Sequence, residues 1–532
     1  MILQDWASKG IAGARNVARN LQAPATAPVV EPADVLSTGS TAKDWTVLVY
    51  MDGRNRLATS SLQALNKMEQ IGSNDRVNVV VQSTIEPHWR ELHKDGMQAI
   101  PTRRYYVQRD DRPDQITSPI VGQLDASVPL SEQSLADFIQ WGMKNFPSER
   151  TMVVIKKHGA GFARIAGSEG EADRAPLSAR ETRNALEQVR QATGKGVDVV
   201  AFDSCSMQQM EVAYQLKDVA KVMTGSPEDI VASIYPYGTI LDGLTRHPEM
   251  NERQLGRWVV DAHKIAVGRA IHSAADLSKL AQFGQAMRSF TASVVEQKVA
   301  RDVLYTAMLN SKSMEAGDSD ALQFNFRDLG GFLQQIAGDE RVPQSVRDTA
   351  QEARQSMSDS ILKHYATSGR ERLKRPTGYS TFLPWKALTP EVKASYAQLD
   401  YVKDTGWLEL LDYTFSSGLP TAPAEPLTKS SWLTRLKRLP LKHYKKYISG
   451  YLPTACQYTP TCSQYTREAI ETHGMFKGAW LGSLRVMSCN GHNSAGHDPV
   501  PGHVHGPDCN HPGHLPAGTA SRDFLTPPPA PV

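Results

Sequence analysis

Short apolar runs separated by helical stripes make up most of the first 415 residues of the chain. Five segments have the composition of buried strands: TVLVY (46–50), VNVVVQ (77–82), MVVI (152–155), VDVVAF (197–202) and GYSTFLP (378–384). Strands and helical patterns alternate over much of this length. Such alternation predicts an α/β fold with a mostly parallel sheet flanked by helices.

Apolar residues at helical spacing separate these strands. One stripe runs over residues 62–68, and another over residues 135–146, which Ser131 is placed to cap. From about 245 to 375 the pattern is mainly helical, and a last helix is expected near 390–415.

Composition changes divide the chain into further parts. Residues 1–43 form an N-terminal segment ending in a Pro-, Ala- and Thr-rich linker, and the α/β unit follows over 44–415. A second linker occupies 416–431, and a small, α-rich unit occupies 432–501. The tail, 502–532, is rich in His, Gly and Pro and is expected to be disordered.

Charge and hydropathy exclude several classes of function. The net charge of +3 over 532 residues does not indicate a nucleic-acid partner. No run approaches the roughly 20 apolar residues that span a bilayer, and the N-terminus lacks the apolar core of a secretory signal. The chain is therefore expected in the cytoplasm, and its five cysteines do not form a disulfide scaffold.

Two predicted strands end in residues that can do chemistry. His158 follows MVVI, and Cys205 follows VDVVAF, 47 residues later. That order and separation are also found in caspases. The pattern further predicts that Cys205 begins a helix, which would favour its thiolate, with an apolar stripe formed by Val212, Leu216, Val219 and Met223. The alternative is a small core cysteine and a hydrogen-bonded loop histidine, and the pattern alone leaves both open.

Several segments, in order, resemble the clostripain family of caspase-like cysteine peptidases, which cleave after Arg or Lys. They are DWTVLVYMDGRNRLA (44–58), VNVVVQ (77–82), LADFIQWGMKNFPSERTMVVIKKHGAG (135–161), PLSARETRNALE (176–187), VDVVAFDSCSMQQMEVAYQLKDVAKVMTGSPE (197–228), TGYSTFLP (377–384) and YVKDTGW (401–407). The resemblance covers roughly residues 44–415 and implies a caspase-like fold.

The resemblance also implies roles for individual residues. Cys205 would be the nucleophile and His158 the acid and base, with the backbone N–H groups of Gly159 and Cys205 as oxyanion hole. Asp203 would lie at the base of the specificity pocket and pair with a substrate Arg or Lys. Glu228 and Asp229 would add negative charge there, or else form a solvated acidic loop.

Activation and departures from the family pattern remain open. Relatives are often activated by cleavage between the histidine and the cysteine, where Arg164, Arg174 and Arg180 are candidate sites. Some relatives need calcium, so calcium is a candidate cofactor. The run His-Gly-Ala-Gly-Phe (158–162) and the run Ser-Cys-Ser-Met (204–207) depart from the usual pattern and put subsite preference in doubt.

A basic segment, WLTRLKRLPLKHYKKYISGYLP (432–453), opens the small unit and contains no acidic residue. Its apolar residues and its basic residues suit a helix lying on an anionic lipid surface. The alternative is a solvated basic helix. The basic residues concerned are Arg435, Lys437, Arg438, Lys442, Lys445 and Lys446.

The residues that follow resemble the YidD family of membrane protein insertion efficiency factors. The resemblance lies in three segments: CQYTPTCSQYTREAIETHGMFKGAW (456–480), SLRVMSCN (483–490) and GHDPVP (496–501). It implies a peripheral protein on the cytoplasmic side of the bacterial inner membrane, with a YidC-type insertase and nascent membrane proteins as partners. The shared cysteines, Cys456, Cys462 and Cys489, have no role that the sequence shows.

The sequence therefore predicts an Arg/Lys-specific cysteine endopeptidase fused to a membrane-insertion accessory domain. The alternative is a non-enzymatic insertion accessory protein with a catalytically idle caspase-like scaffold.

The tail contains residue types that bind metals, at a spacing that fits no standard zinc module. They are His503, His505, Cys509, His511 and His514. Metal storage by this tail is a third interpretation.

Overall fold

A computed structural model describes most of the chain up to residue 416 and a few positions beyond it. The described residues are 28–36, 42–87 without 56, 99–124 without 114, 131–162 without 160, 177–267 without 229, 231 and 232, 271–314, 326–366, 376–416, 458–459, 465, 469, 473, 477, 480–481, 484 and 496–497. The chain divides into two compact units, Met1–Ala422 and Pro423–Val532.

The first unit is built on one large sheet. Its strands, with two more that pair separately, are β1 (Lys43–Asn55), β2 (Val77–Pro87), β3 (Ile100–Tyr106), β4 (Ile120–Gln123), β5 (Ser148–Lys156), β6 (Val197–Asp203), β7 (Ala220–Gly225), β8 (Ile271–Asp276), β9 (Phe326–Asp328), β10 (Ile361–Ala366) and β11 (Ser380–Phe382). Among the described residues, nine strands make the sheet in the order β10-β8-β7-β6-β5-β1-β2-β3-β4.

The centre of the sheet is parallel and its margins are antiparallel. The neighbours β7, β6, β5, β1 and β2 pair in parallel, whereas β8 and β10 on one side and β3 and β4 on the other run antiparallel. The prediction of a mostly parallel sheet flanked by helices is confirmed. Parallel central strands carry their carboxyl ends to one edge, where α/β folds place their chemistry.

Helices cover both faces of the sheet. Among the described residues, the helices of this unit are α1 (Ala58–Glu69), α2 (Glu132–Asn145), α3 (Ala179–Thr193), α4 (Met210–Leu216), α5 (Tyr237–Arg246), α6 (Glu252–Ala266), α7 (Leu280–Glu296), α8 (Arg301–Asn310), α9 (Leu329–Gly338), α10 (Gln344–Asp359), α11 (Pro390–Tyr396), α12 (Asp400–Thr405) and α13 (Trp407–Phe415). Apolar side chains of α1, α5 and α6 pack on one face, and those of α2, α3, α4 and α7 pack on the other.

The central strands are apolar on both faces because both faces are covered. In β1, Leu48 and Tyr50 join the α2 side of the core, whereas Val47, Val49 and Met51 join the α1 side. All five side chains are buried, the most exposed of them at 4%. This double burial explains why the strands appear in the sequence as continuous apolar runs.

The predicted helix start at Ser131 is confirmed. The Ser131 hydroxyl accepts a hydrogen bond from the Ser134 N–H at 3.1 Å, and the Ser134 hydroxyl accepts one in turn from the Ser131 N–H at 3.0 Å. This reciprocal pair satisfies two donors that a helix start leaves unpaired.

One prediction about elements is wrong. The helix after Cys205 begins at Met210 and ends at Leu216, so Val219 precedes β7 and Met223 lies within it. The described part of the stretch 245–375 is mainly helical, as predicted, and it also contains β8 and β10, which extend the sheet. The strand predicted at 378–384 exists as β11, but it pairs with β9 in a separate two-stranded sheet.

Part of the predicted N-terminal linker is structured. Residues 28–36 lie beside the edge of the sheet, where Val29 bridges Ile120 and the Val30 N–H donates to the Ile120 carbonyl at 2.9 Å. A short 3-10 turn, Pro32–Val35, follows. Val30 and Val35 pack against the α2 side of the core.

The second unit is described at a few positions only. Tyr458–Thr459 pairs in parallel with Gly496–His497. Tyr465 and Ala469 are buried at helical positions, whereas Trp480 is 64% exposed. The predicted membrane-surface residues 435–446, the three shared cysteines and the His-rich tail lie outside the described residues. Within the part of the chain that the structure describes, no helix has both the length and the apolar composition needed to cross a membrane.

Candidate active site

Two strand-end loops meet at the carboxyl edge of the sheet. β5 and β6 are neighbours in parallel, with Lys156 paired to Asp203 at their last positions. His158 and Cys205 each lie two residues beyond that pair, one on each strand. The 47-residue spacing in the sequence is therefore the register of two adjacent strands.

The backbones of the two loops are in direct contact at Gly159. A Cβ atom at residue 159 would lie 1.9 Å from the Cys205 carbonyl oxygen and 2.5 Å from its backbone nitrogen. Only a residue without a side chain allows this approach. Gly159 therefore positions the residue after His158 against the peptide unit of Cys205.

The histidine loop is held by a glutamine that the sequence did not single out. The Phe162 N–H donates to the Gln209 Oε1 at 3.0 Å, and Gly161 has a φ of +64° with the Gln209 side chain directly beside it. A Cβ at residue 161 would lie 2.1 Å from the Gln209 amide. Gln209 immediately precedes α4, so this contact ties the histidine loop to the cysteine loop.

An aromatic cluster anchors the other end of the histidine loop. The Phe162 ring packs against Phe326, Phe382 and Tyr396, with ring centroids 4.9–6.0 Å away. His158 itself is exposed. The loop is thus fixed in the core at Phe162 and presents the imidazole at the surface.

Cys205 is half-buried in a tight backbone turn. Its Sγ accepts a hydrogen bond from the Ile230 N–H at 3.3 Å and lies 3.4 Å from the Ile230 carbonyl. The next residue, Ser206, has a φ of +54° and donates its N–H to the Glu228 carbonyl at 3.0 Å. A non-glycine residue in this conformation costs about 1–3 kcal/mol, and such strain clusters at functional sites.

The prediction that a helix N-terminus lies at the Cys205 thiol is wrong. Because α4 begins at Met210, four residues separate Cys205 from the first helical residue. The effect of a helix N-terminus falls off within the first turn. Among the described contacts, the backbone N–H of Ile230 donates to the sulfur.

Asp203 is buried and already paired. Its Oδ2 accepts hydrogen bonds from the Lys156 Nζ at 2.8 Å and from the Tyr237 hydroxyl at 3.0 Å. The side chains of Lys156 and Asp203 are each 1% exposed. Burial, followed by the charge of Asp203, raises the pKa of Tyr237 well above its ordinary value, so the phenol stays a donor.

The other predicted site residues are placed less fully. Glu228 is 8% exposed, and its backbone carbonyl accepts from Ser206, which ties this segment to the nucleophile turn. Asp229 lies outside the described residues, as do Arg164 and Arg174. Arg180 is exposed in the first turn of α3, a conformation that a peptidase does not cleave without unwinding it.

Lys156 and Gln209 are the residues that sequence reasoning missed. Lys156 follows MVVI directly, and it shares a face with Met152 and Val154, both of which are buried. A lysine at a buried strand position, 47 residues before an aspartate at the matching position, was the available signal. No such pattern marks Gln209. Among the described residues, no group of three or more His, Cys, Asp or Glu side chains is arranged to hold a metal ion.

Comparison with known families agrees with this geometry. The model of the clostripain family matches residues 49–414, which is more than half of the chain. The chain belongs to the clostripain family. It is a clostripain-like cysteine peptidase by family, and Cys205 and His158 are the cysteine and histidine that the strand ends bring together.

Two solved structures of clostripain-family proteins share the fold. An inactive zymogen C11 protease from Parabacteroides distasonis is 17% identical, with a TM-score of 0.53 and coverage of 69% of this chain and 99% of that one. A secreted C11 cysteine protease from Bacteroides thetaiotaomicron is 12% identical, with a TM-score of 0.52 and coverage of 69% and 100%. At these identities the likeness concerns the fold alone.

The second unit matches another family, described as "Putative membrane protein insertion efficiency factor", over residues 433–501. The protein of this description from Cytophaga hutchinsonii is 54% identical over 63 residues, which cover 12% of this chain and 80% of that protein. The one from Magnetococcus marinus is 48% identical over 67 residues, covering 13% and 97%. This segment is a member of that second family.

Proposed function

We propose that the first unit is an endopeptidase with Cys205 as nucleophile and His158 as general acid and base. The contact of Gly159 with the Cys205 backbone carries this proposal, because it brings the two strand-end loops to one point. The strained turn at Ser206 and the half-buried thiol support it.

The reaction follows from these groups. The Cys205 sulfur attacks the carbonyl carbon of the scissile peptide bond, and its proton passes to His158. The negative oxygen that results accepts hydrogen bonds from the N–H groups of Gly159 and Cys205. The C–N bond then breaks, His158 returns the proton to the leaving amine, and water hydrolyses the thioester.

The preference for Arg or Lys stays a prediction. It rests on Asp203, together with Glu228 and Asp229, as negative charges in the specificity pocket. The ion pair of Asp203 with Lys156 is a specific reason to test uncharged residues beside basic ones.

The deciding experiment is hydrolysis of fluorogenic peptides by the purified full chain. Cys205→Ala is expected to lower kcat/KM by about 10³-fold or more, with Cys509→Ala in the tail as the matched cysteine control. Absence of turnover, even after nicking with trypsin and with calcium added, would favour the idle-scaffold alternative. Comparing turnover with and without a chelator tests the proposed calcium requirement.

For the second unit we propose an accessory role in inserting membrane proteins. Its family membership and the six basic residues between 435 and 446 support a peripheral position on the cytoplasmic side of the inner membrane. A YidC-type insertase and nascent membrane proteins are the proposed partners, and the peptidase would then process chains arriving at the insertase. Crosslinking of the full chain to an insertase tests the partnership.

Metal binding by the tail is tested by metal analysis before and after removing residues 502–532.

A further inference from the structure

A buried carboxyl group joins the helix after the cysteine loop to the elements that hold the histidine loop. Glu211 is the second residue of α4 and is 0% exposed. Its Oε1 accepts hydrogen bonds from the Thr381 hydroxyl at 2.9 Å, the Phe382 N–H at 2.8 Å and the Tyr396 hydroxyl at 2.8 Å. The first two donors belong to β11 and the third ends α11, so Glu211 binds both elements to the start of α4.

The same two elements support the aromatic ring that fixes the histidine loop. The Phe162 ring packs against the Tyr396 ring, with centroids 4.9 Å apart, and against the Phe382 ring, with centroids 5.6 Å apart. The two supporting rings also meet edge-on, with centroids 5.2 Å apart. Each supporting residue therefore donates a hydrogen bond to Glu211 and packs its ring on Phe162.

The position of His158 depends on this support. β5 holds the chain before His158, and Phe162 holds it four residues later, where its N–H also donates to the Gln209 Oε1 at 3.0 Å. The imidazole itself is exposed. Gln209 and Glu211 both lie at the start of α4, on the chain that follows Cys205. Contacts of this one turn therefore place the histidine loop against the cysteine loop.

The contacts of Glu211 need an acceptor oxygen rather than a charge. Its Oε2 is buried and has no hydrogen-bond partner in the part of the chain that the structure describes. Burial raises the pKa of Glu211, although the hydrogen bonds from Phe382 and Tyr396 oppose this shift. A neutral amide offers an acceptor at the same point, whereas a side chain without one leaves buried donors unpaired.

We infer that Glu211 is a positioning residue of the proposed peptidase, which sets the place of His158 relative to Cys205 through Phe162. This inference rests on the proposed function and adds to it a residue that acts through others rather than on the substrate. A small displacement of an acid–base group slows the chemical step strongly. Loss of the Glu211 acceptor is therefore expected to lower kcat much more than it raises KM.

Peptide hydrolysis by the full chain compares two substitutions of Glu211. Glu211→Met removes the acceptor and is expected to lower kcat by about 30-fold or more, with KM changed by less than about threefold. Glu211→Gln keeps an acceptor oxygen and is expected to restore kcat to within about fivefold of the unaltered chain. Equal losses of kcat in the two variants would overturn the inference, and so would an effect confined to KM.

Glu69 is the matched control, because it is a buried carboxyl group of the same kind in another place. It is 0% exposed, its Oε1 accepts from the Thr117 and Ser118 N–H groups at 2.9 and 2.8 Å, and burial raises its pKa. Glu69→Met should lower the melting temperature, as Glu211→Met does, but leave kcat within about twofold. If both variants lower kcat alike while folded, general destabilisation explains the loss and the inference is wrong.

Tyr396→Phe tests the same contact if Glu211→Met does not fold. It removes one hydrogen bond to Glu211 and keeps the ring that packs on Phe162. We expect kcat to fall by about threefold to tenfold. An unchanged kcat would contradict the inference.

Alkylation of Cys205 by iodoacetamide separates this inference from the peptidase activity, because it needs no turnover. An imidazolium beside the sulfur favours the reactive thiolate at pH 6. Mass spectrometry should therefore show that His158→Ala and Glu211→Met each slow the modification of Cys205 by about tenfold at pH 6, and by much less near pH 9.5, where a thiol ionises without help.

The two alkylation results fail in different ways. Slowing by His158→Ala but not by Glu211→Met contradicts the inference and leaves the proposed peptidase standing. If His158→Ala has no effect either, the proposed pair of Cys205 and His158 is wrong, and the inference falls with it.

Discussion

At the scale of single residues, the tightest contact in the candidate site is the approach of Gly159 to the backbone of Cys205. A methyl group there would overlap the Cys205 carbonyl oxygen at 1.9 Å. We predict that Gly159→Ala lowers kcat/KM by at least about 100-fold, because the backbone N–H donors of residues 159 and 205 must move apart. Peptide hydrolysis measures the effect, and thermal unfolding verifies that the variant is folded.

The control for this change is Gly338→Ala at the end of α9. A Cβ at residue 338 meets no atom within 4 Å, so the same substitution has no clash to relieve. Activity of Gly159→Ala within threefold of the unaltered chain would contradict the proposed oxyanion hole.

Residues were predictable where strand ends made them visible. His158 and Cys205 follow apolar runs directly, and the family resemblance carried Gly159. Lys156 was not predicted as a site residue. Its pairing with Asp203 can be recognised only when the neighbouring strand is known, and sequence alone does not give the strand order. Gln209 was not predicted, because its hydrogen bond from the Phe162 N–H and its contact with Gly161 depend on the path of two loops.

At the scale of elements, α6, β8 and β10 enclose three histidines. His263 and His272 stack with centroids 3.7 Å apart, and the His364 Nδ1 lies 2.7 Å from the Ser273 hydroxyl. Burial lowers the pKa of His263 and of His364 to about 4, and burial and the charge of His263 lower that of His272 well below its ordinary value. The folded protein therefore holds these rings neutral.

Because these pKa values are lowered in the folded protein, the free energy of unfolding is highest above about pH 6.5 and decreases as the pH falls toward 4. At pH 5 the unfolded chain binds protons at these histidines, whereas the folded chain does not. A pKa shift like that of His364 therefore lowers the free energy of unfolding by about 2 kcal/mol at pH 5. We predict that His364→Gln reduces the fall in unfolding free energy between pH 7 and pH 5 by about this amount. Urea unfolding at both pH values measures it.

His247→Gln is the matched control, because His247 is exposed on the surface. Its fall in unfolding free energy between the two pH values should equal that of the unaltered chain. If the two variants behave alike, the buried histidines do not set the acid sensitivity of this fold.

The elements also show where pattern reading stops. Central strands were recognised because both of their faces are apolar. β8 and β10 were missed, since the sequences IHSAAD and ILKHYA mix polar residues into strands at one margin of the sheet. The helix after Cys205 was extended too far because the apolar residues of β7 happen to continue the helical spacing of α4. Tertiary pairing, rather than local pattern, decides such boundaries.

At the scale of the whole molecule, two units of different families share one chain. The boundary at Ala422 lies in the segment 416–431, whose Pro-rich composition already indicated a linker. Each unit matches its family over most of its own length, 49–414 and 433–501. Changes confined to one unit should therefore leave the activity of the other intact.

Binding to vesicles that contain anionic lipid tests this separation. Each basic residue near such a surface contributes about 1 kcal/mol, so changing six of them to Gln should abolish sedimentation with the vesicles. The six are Arg435, Lys437, Arg438, Lys442, Lys445 and Lys446. Peptide hydrolysis by this variant should stay unchanged, because none of the six belongs to the peptidase unit.

The matched control changes six exposed lysines of the first unit to Gln. They are Lys144, Lys264, Lys279, Lys298, Lys386 and Lys403. This variant loses the same six positive charges, so it separates a local basic surface from net charge. If both variants lose vesicle binding equally, the attraction belongs to the charge of the whole chain. If only the first loses it, the second unit holds the peptidase at the lipid surface, where its substrates would be chains emerging at the membrane.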